Sequence, residues 1–424
     1  MLKKEHIRLL SVLVAVVTSL PFIGGVVGGI YVWLSPNVML ASVIAVRSVV
    51  LFNLLGFIVL LLCFYRKRWF CGVLCPTGWC CQFVSGKVHR PRSIQLSANI
   101  GKFLAIFTIA SAIFGYPLLL WADPLVIFTG FFTIFRFEEL SVSVIVSLLF
   151  FPVFLLSQWM LPHSWCTKIC PLGGTQDMLW TLRSIFFGNA VGKEIAKPAR
   201  QNGFTRRDLL ASFSGLLLGG FLRTVKSKPT ETIRPPASIR SPQFETLCLR
   251  CGNCLRACPT QIIKRNTQPT DWYAWMTPRI DFTDGYCLSD CTICGTVCPS
   301  GAISPFTIPA KKILPIGKAR IDTENCLLQI PTECNRCKTA CDYDAIKMIS
   351  MNGTKVLPQL DETRCVGCGA CAQICPEGVI IILECSFKPE PHNFYPSVCN
   401  SKISSIFVQK YNDVFLPVKY GFNR

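Results

Sequence analysis

Four apolar stretches fill the first half of the chain: Leu9–Leu34, Ala41–Tyr65, Gly101–Trp121 and Ser141–Leu161. Crossing a hydrocarbon layer as a helix takes about 20 residues, and each stretch meets that length. None carries the polar face of a surface helix in a soluble bundle. The pattern therefore predicts four transmembrane helices. Trp33, Trp121 and Trp159 stand near segment ends, where interfacial aromatics gather. Gly24, Gly25, Gly28 and Gly29 form two small-xxx-small pairs, which permit close helix contact in lipid. Arg47, inside the second stretch, either snorkels or faces a polar site.

A fifth apolar run, Leu209–Leu222, has only 14 residues and follows Thr205-Arg206-Arg207-Asp208. A short apolar run behind paired arginines reads as a twin-arginine export signal that stays on as an anchor. The bland alternative is a chance Arg pair before a short helix. Beyond about Phe244 the pattern changes to short apolar runs, turns and dense cysteine. The predicted organisation is a membrane domain over 1–200, a signal, anchor and linker over 201–243, an α+β polyferredoxin domain over 244–385 and an extension over 386–424.

Composition agrees with a membrane protein: of 424 residues, 51% are apolar and only 16% charged, against about 25% charged in soluble domains. Of the formal net charge of +19, residues 1–200 carry +11, residues 201–240 carry +5 and residues 241–424 only +3. Lys and Arg cluster before the first stretch, between the second and third, and after the fourth. That alternation puts the N-terminus, the 66–102 loop and the 162–208 segment on the cytoplasmic side. A nucleic-acid surface would concentrate the charge on a folded domain, so nucleic acid is excluded as a partner.

The 25 cysteines decide the chemistry. Three runs share one grammar: Cys248, Cys251, Cys254, Cys258; Cys287, Cys291, Cys294, Cys298, with one extra residue in its first gap; and Cys365, Cys368, Cys371, Cys375, each with Pro after the last cysteine. A fourth run, Cys326, Cys334, Cys337, Cys341, stretches the first gap and carries Asp342 where the others have Pro. Three cysteines spaced by two residues wrap three irons of a cubane, and the fourth ligates the other cluster of a pair. Zinc sites usually end in CxxC pairs instead, and disulfide frameworks do not repeat this spacing. The sixteen cysteines predict four 4Fe–4S clusters. Neighbouring runs pair, or the first pairs with the fourth and the second with the third; the spacing leaves both open. Asp342 is expected to lower the potential of a nearby cluster.

Two further motifs, Cys71-Gly-Val-Leu-Cys75-Pro76 and Cys166-Thr-Lys-Ile-Cys170-Pro171, follow the second and fourth apolar stretches. In each, the cysteines lie one helical turn apart. Together Cys71, Cys75, Cys166 and Cys170 offer four thiolates to one more cluster; free thiols or a dithiol switch are the alternatives. Cys80 and Cys81 are substitute ligands, while Cys63, Cys385 and Cys399 read as ordinary small residues. His6, His89, His163 and His392 all lie outside the apolar stretches, which excludes a haem held by paired intramembrane histidines. No Gly-rich nucleotide fingerprint is present.

At these residues the chain resembles known proteins. Residues 1–200, with a CxxxCP motif after the second and fourth stretches, resemble the NapH/MauN-type membrane ferredoxin. Residues 200–385, with paired arginines ahead of four cluster runs, resemble the NapG/MauM-type exported ferredoxin. The chain looks like a fusion of the two. The resemblance implies a quinol dehydrogenase module in a bacterial inner membrane. It would take electrons from the quinone pool and pass them through clusters on the periplasmic side to a reductase or cytochrome there. No residue is assigned to the quinol site. Two rival readings are a cytoplasm-facing electron carrier and a membrane iron–sulfur maturation or regulatory factor.

Overall fold

A computed structural model describes residues 4–20, 23, 27–86, 99–133, 142–160, 164–187, 205–225, 232–330, 332–351 and 355–384. The 386–424 extension, Cys385, Cys399, His89, His163 and His392 lie outside the described residues. The first half is helical, as its apolar runs predict, but the four-span membrane fold is corrected. No single described helix is long and apolar enough to cross a bilayer. Val27–Trp33 and Pro36–Val46 reach that length only as a pair bent by 89°.

The interruptions have local causes. In the first run the Lys4–Ser19 helix ends, and regular structure resumes as a 3-10 turn at Val27–Gly29. In the second run, Ser35 caps the Pro36–Val46 helix through its hydroxyl, and Arg47, at φ 57°, closes it; the next helix is Asn53–Tyr65. The third run holds a helix only over Ile100–Ala112, ahead of left-handed Gly115 and Leu119. Val142–Met160 contains Pro152, which donates no backbone hydrogen bond. Polar groups then fill the interior between the helices: Ser35, Asn37, Ser111, Asp123, Thr175 and Gln176 are all fully buried.

The segment expected to be an export signal and anchor is a docked helix, Arg206–Thr224. Thr205 and Asp208 close it with a reciprocal capping box, and Arg206 and Arg207 stand exposed in its first turn. The Lys102 ammonium pairs with Asp208 at 2.8 Å, and Gly215 and Gly219 lie against Phe107 and Ser111 of the Ile100–Ala112 helix.

The second half holds three two-stranded antiparallel ribbons. They pair β1 (Ile263–Arg265) with β2 (Pro278–Ile280), β3 (Lys318–Ile321) with β6 (Ile380–Leu383), and β4 (Ile346–Met351) with β5 (Lys355–Leu360). In the β3–β6 ribbon Lys318 faces Leu383 and Ile321 faces Ile380, so the last strand returns to close a unit begun sixty residues earlier. Residues 232–243 belong to this half: Ile239 N–H donates to Ala302 C=O at 2.9 Å, and Ile280 N–H to Ile233 C=O at 2.8 Å.

One core joins the two halves. Leu247, Leu249, Ile262, Ile303 and Leu314 pack in the same buried cluster as Val32, Val38, Ala41, Ala45 and Val126. Gly28 and Gly29, expected to bring helices together in lipid, instead admit the loop of the first cysteine run. A Cβ at Gly28 would stand 3.0 Å from Arg256 Cζ, and one at Gly29 would run into the Asn253 amide. Arg256 is 4% exposed and donates to Thr18 C=O at 3.0 Å, Gly28 C=O at 2.6 Å and Asn253 Oδ1 at 2.5 Å.

Candidate metal centres

Each cysteine run is a tight turn followed by one turn of helix. Gly252 (φ 73°) and Gly369 (φ 88°) precede the Asn253–Ala257 and Ala370–Ile374 helices; that backbone conformation strains any residue with a side chain. The turns aim N–H groups at sulfur. Arg250 N–H bonds Cys248, Asn253 N–H bonds Cys251, and Ala370 N–H bonds Cys368. Ile303 N–H donates to Cys298 Sγ at 3.4 Å and Ala345 N–H to Cys341 Sγ at 3.3 Å.

Mutual electrostatic influence among the thiols shows which come together. Cys248, Cys251 and Cys254 gather with Cys298, from the next run. Cys287, Cys291 and Cys294 gather with Cys258. Cys365, Cys368 and Cys371 gather with Cys341. Cys337 lies near Cys326 and Cys334, and Cys375 packs in the same apolar cluster as Cys337. The first two runs therefore exchange their last cysteines, and the third run lends Cys341 to the fourth. The 23 cysteines described are all free thiols.

Burial dominates their chemistry. It pushes the Cys248 and Cys368 thiols up to about 11 and Cys251 and Cys371 up to about 12. Thiols in such a place ionise when a cation takes the proton's position. Two observations fit a cluster. Cys258, Cys287, Cys291 and Cys294 line one pocket, with Pro236, Ile262, Ile280 and Lys311 among its walls. Lys311 is 1% exposed, and no carboxylate among the described residues forms an ion pair with it. A buried ammonium calls for an anion, and a thiolate-bound cluster is one.

The two CxxxCP motifs converge. Cys71, Cys75, Cys166 and Cys170 all influence one another. Cys75-Pro76 and Cys170-Pro171 each open a helix, Pro76–Gly86 and Pro171–Phe187, and each cysteine caps it in the same way. Gly78 N–H donates to Cys75 Sγ at 3.3 Å and Gly173 N–H to Cys170 Sγ at 3.4 Å. Burial pushes Cys71 up to about 12 and raises Cys75 and Cys170 well above the usual thiol range.

The sequence reading missed the partners of this tetrad. The Arg68 guanidinium grips both oxygens of Asp177, from Nε at 2.9 Å and Nη2 at 2.5 Å, and donates to Cys166 C=O and Thr167 C=O, both at 3.1 Å. Arg68 thus ties one motif to the other. The Gln176 amide donates to Cys71 Sγ at 3.0 Å and accepts from Cys63 at 3.4 Å, so Cys63 adjoins the site. Cys81 hydrogen-bonds Cys166, and that bond holds the Cys166 thiol below its usual range. An Arg directly ahead of Trp69-Phe70-Cys71 carried no readable signal; only the fold brings Asp177 to it.

Two antiparallel-ribbon units, each with two sets of converging thiols, define a dicluster ferredoxin. The 4Fe-4S dicluster domain family matches residues 247–302 and 332–379. Ferredoxin-type protein NapF of Escherichia coli is 34% identical over 40% of this chain and 93% of its own length. Ferredoxin-type protein NapG of Escherichia coli is 31% identical over 42% of this chain and 83% of its own. Methylamine utilization ferredoxin-type protein MauM of Methylophilus methylotrophus is 29% identical over 44% of this chain and 86% of its own. No solved structure matches. The chain belongs to the family of ferredoxin-type proteins that includes NapF and NapG, and is an iron–sulfur electron carrier. These alignments leave more than half of the chain uncovered.

Proposed function

We propose that the chain is a multi-cluster electron relay that accepts electrons from a quinol and delivers them to a terminal oxidoreductase in the periplasm. The observation that carries the relay is the match of two cysteine-rich stretches to the 4Fe-4S dicluster domain family, and the convergence of thiols from neighbouring runs supports it. Cys248, Cys251, Cys254 and Cys298 would hold a first 4Fe–4S cluster, and Cys258, Cys287, Cys291 and Cys294 a second. Cys326, Cys334, Cys337 and Cys375 would hold a third, and Cys341, Cys365, Cys368 and Cys371 a fourth. When bound, each cluster stores and releases one electron without a proton. The chain's part is to space the sites, exclude water and set potentials through the N–H groups aimed at sulfur. Cys71, Cys75, Cys166 and Cys170 would hold a fifth cluster, a reading supported by the matched caps on Cys75 and Cys170 and the Arg68 clamp. The quinol donor and the periplasmic acceptor draw support from the resemblance of the two halves to partner subunits of one electron-transfer chain.

Anaerobic purification followed by iron, acid-labile sulfide and EPR measurement tests the relay; a colourless protein with no sulfide overturns it. A soluble quinol analogue added to the oxidised protein is expected to bleach its visible absorbance, and an unchanged spectrum removes the quinol donor. Cys71→Ser with Cys166→Ser is expected to remove one cluster's iron and leave the other signals in place. Unchanged iron removes the fifth cluster.

A further inference from the structure

We propose that Lys311 sets the reduction potential of the second cluster, the one at the junction between the two ferredoxin units. This rests on the reading that Cys258, Cys287, Cys291 and Cys294 hold a cluster. Lys311 ends the short Ile308–Lys311 helix, which Thr307 caps by accepting the Ala310 N–H. Its side chain is among the most completely buried in the protein. The ammonium donates to Cys291 C=O at 2.5 Å, stands within hydrogen-bonding reach of the Cys287 sulfur and acts on Cys294 as well. It lines the same cavity as all four cysteines.

A fixed positive charge at a ligand sulfur has one consequence for electron transfer. The thiolate-bound cluster is an anion, and it gains one more negative charge on reduction. The ammonium therefore favours the reduced form over the oxidised form, and the potential rises. The electron comes from the external donor, and no bond breaks. Arginines near the first site are directed differently: Arg250 donates to Tyr273 C=O and Trp275 C=O, and Arg256 to Thr18 C=O and Gly28 C=O. At the fourth site, Asp342, next to Cys341 in the chain, carries the opposite sign.

The position of the second site gives the effect its meaning. Cys287 N–H donates to Cys368 C=O at 2.8 Å, so a ligand of the second cluster is bonded directly to a ligand residue of the fourth. Tyr343, with its hydroxyl buried, is under the influence of Cys368, Cys287 and Cys341 together. Raising the potential on one side of this contact holds the electron at the crossing from one unit to the other.

The test is an EPR-monitored redox titration of the full chain, purified anaerobically, with Lys311→Met, Lys311→Gln and Lys311→Arg beside the wild type. Iron and sulfide content are measured on every sample. In Lys311→Met one midpoint is expected to move down, so that the reduced-to-oxidised ratio of that cluster at fixed potential falls about tenfold, about 59 mV for one electron. The other midpoints stay in place, and Lys311→Arg stays near the wild type. Lys311→Gln keeps a donor for Cys291 C=O without the charge, so it should follow Lys311→Met and stands in for it should that variant lose iron. Fully loaded Lys311→Met or Lys311→Gln with wild-type midpoints overturns the proposal. Loss of one cluster's iron from both neutral variants, but not from Lys311→Arg, also overturns it, because the charge would then serve assembly. A wild type without iron would instead sink the cluster reading itself.

Discussion

Replacing Arg256 by Leu removes the buried clasp between the first cysteine run and the amino-terminal half. The side chain makes three hydrogen bonds, to Thr18 C=O, Gly28 C=O and Asn253 Oδ1. Bonds to a charged donor contribute about 1.5 to 3 kcal/mol each, and two backbone carbonyls would be left buried without this donor. Against that stands the desolvation of the guanidinium itself, which Leu avoids. Offsetting one bond's worth or more for that penalty leaves a net loss of about 3 kcal/mol in the docking of the two halves. At about 1.4 kcal/mol per factor of ten, local opening should become roughly a hundredfold more frequent. Hydrogen–deuterium exchange of the iron-loaded protein reads this directly, because amides that exchange through local opening report its free energy. Peptides spanning 27–33 and 253–257 should exchange about a hundredfold faster, while the β4–β5 ribbon, remote from the clasp, keeps its rate. Gly28→Ala, whose Cβ would press on the Arg256 guanidinium, should act in the same direction. The two changes together should fall short of the sum, since both break one contact. Exchange unchanged in both peptides would refute the reasoning.

Asp208 in the capping box of the Arg206–Thr224 helix is partly desolvated, yet the Lys102 ammonium and the Thr205 N–H hold its carboxyl below the usual range. Its contribution is therefore present above the ordinary carboxylate pKa and lost as pH falls through the depressed one; Asp208→Ala should cost about 1 kcal/mol at neutral pH, read as a shift in the denaturant midpoint. Burial pushes Asp123 the other way, up to about 6, although Ser35 and the Leu125 N–H bond its oxygens. The native state then holds this proton more tightly than the unfolded chain, so stability should fall by about 1 kcal/mol from pH 5 to 7. Asp123→Asn should flatten that slope in denaturation followed by tryptophan fluorescence. Asp342 accepts from the Ser289 hydroxyl at 2.8 Å. Asp342→Asn should raise one cluster midpoint in a redox titration, the opposite sign to Lys311→Met.

The cysteine sites were legible because their geometry is local. A spacing of two residues fixes a turn around three ligands, whereas it leaves the donor of the fourth open between neighbouring and nested pairings. The membrane reading failed for the opposite reason. Apolar content was read correctly, and Leu54, Phe57, Leu156, Leu210 and Phe213 do stay exposed. Helix continuity, however, depends on single positions that hydropathy averages away. Arg47 and Leu119 adopt left-handed backbone, a choice no residue-type pattern announces, and Gly28 and Gly29 make room for Arg256 and Asn253, more than two hundred residues away. Arg206 and Arg207 matched a signal by their order, whereas Thr205 and Asp208 beside them are equally a helix cap. Arg68 and Lys311 escaped notice because each acts across the fold, one through Asp177 and the other through a cavity assembled from two runs.

The placement of the four cysteine sets carries its own argument about how the relay is laid out. Cys248, Cys251 and Cys294 sit in the core shared with the amino-terminal half, so the first and second sites both adjoin it. The second shares a run with the first through exchanged cysteines and touches the fourth through Cys287 and Cys368. The third adjoins the fourth through Cys341, which gathers with Cys365, Cys368 and Cys371. Around it Thr332, Glu333, Asn335, Arg336, Lys338 and Thr339 are exposed, and Ile330 beside them is 56% exposed. Chain order and spatial order therefore differ, because the last run folds back between the second and the third. The ladder of β3 with β6 enforces this, since Ile380–Leu383 must return to Lys318–Ile321, and in returning it brings the Cys365–Cys371 loop against the second site.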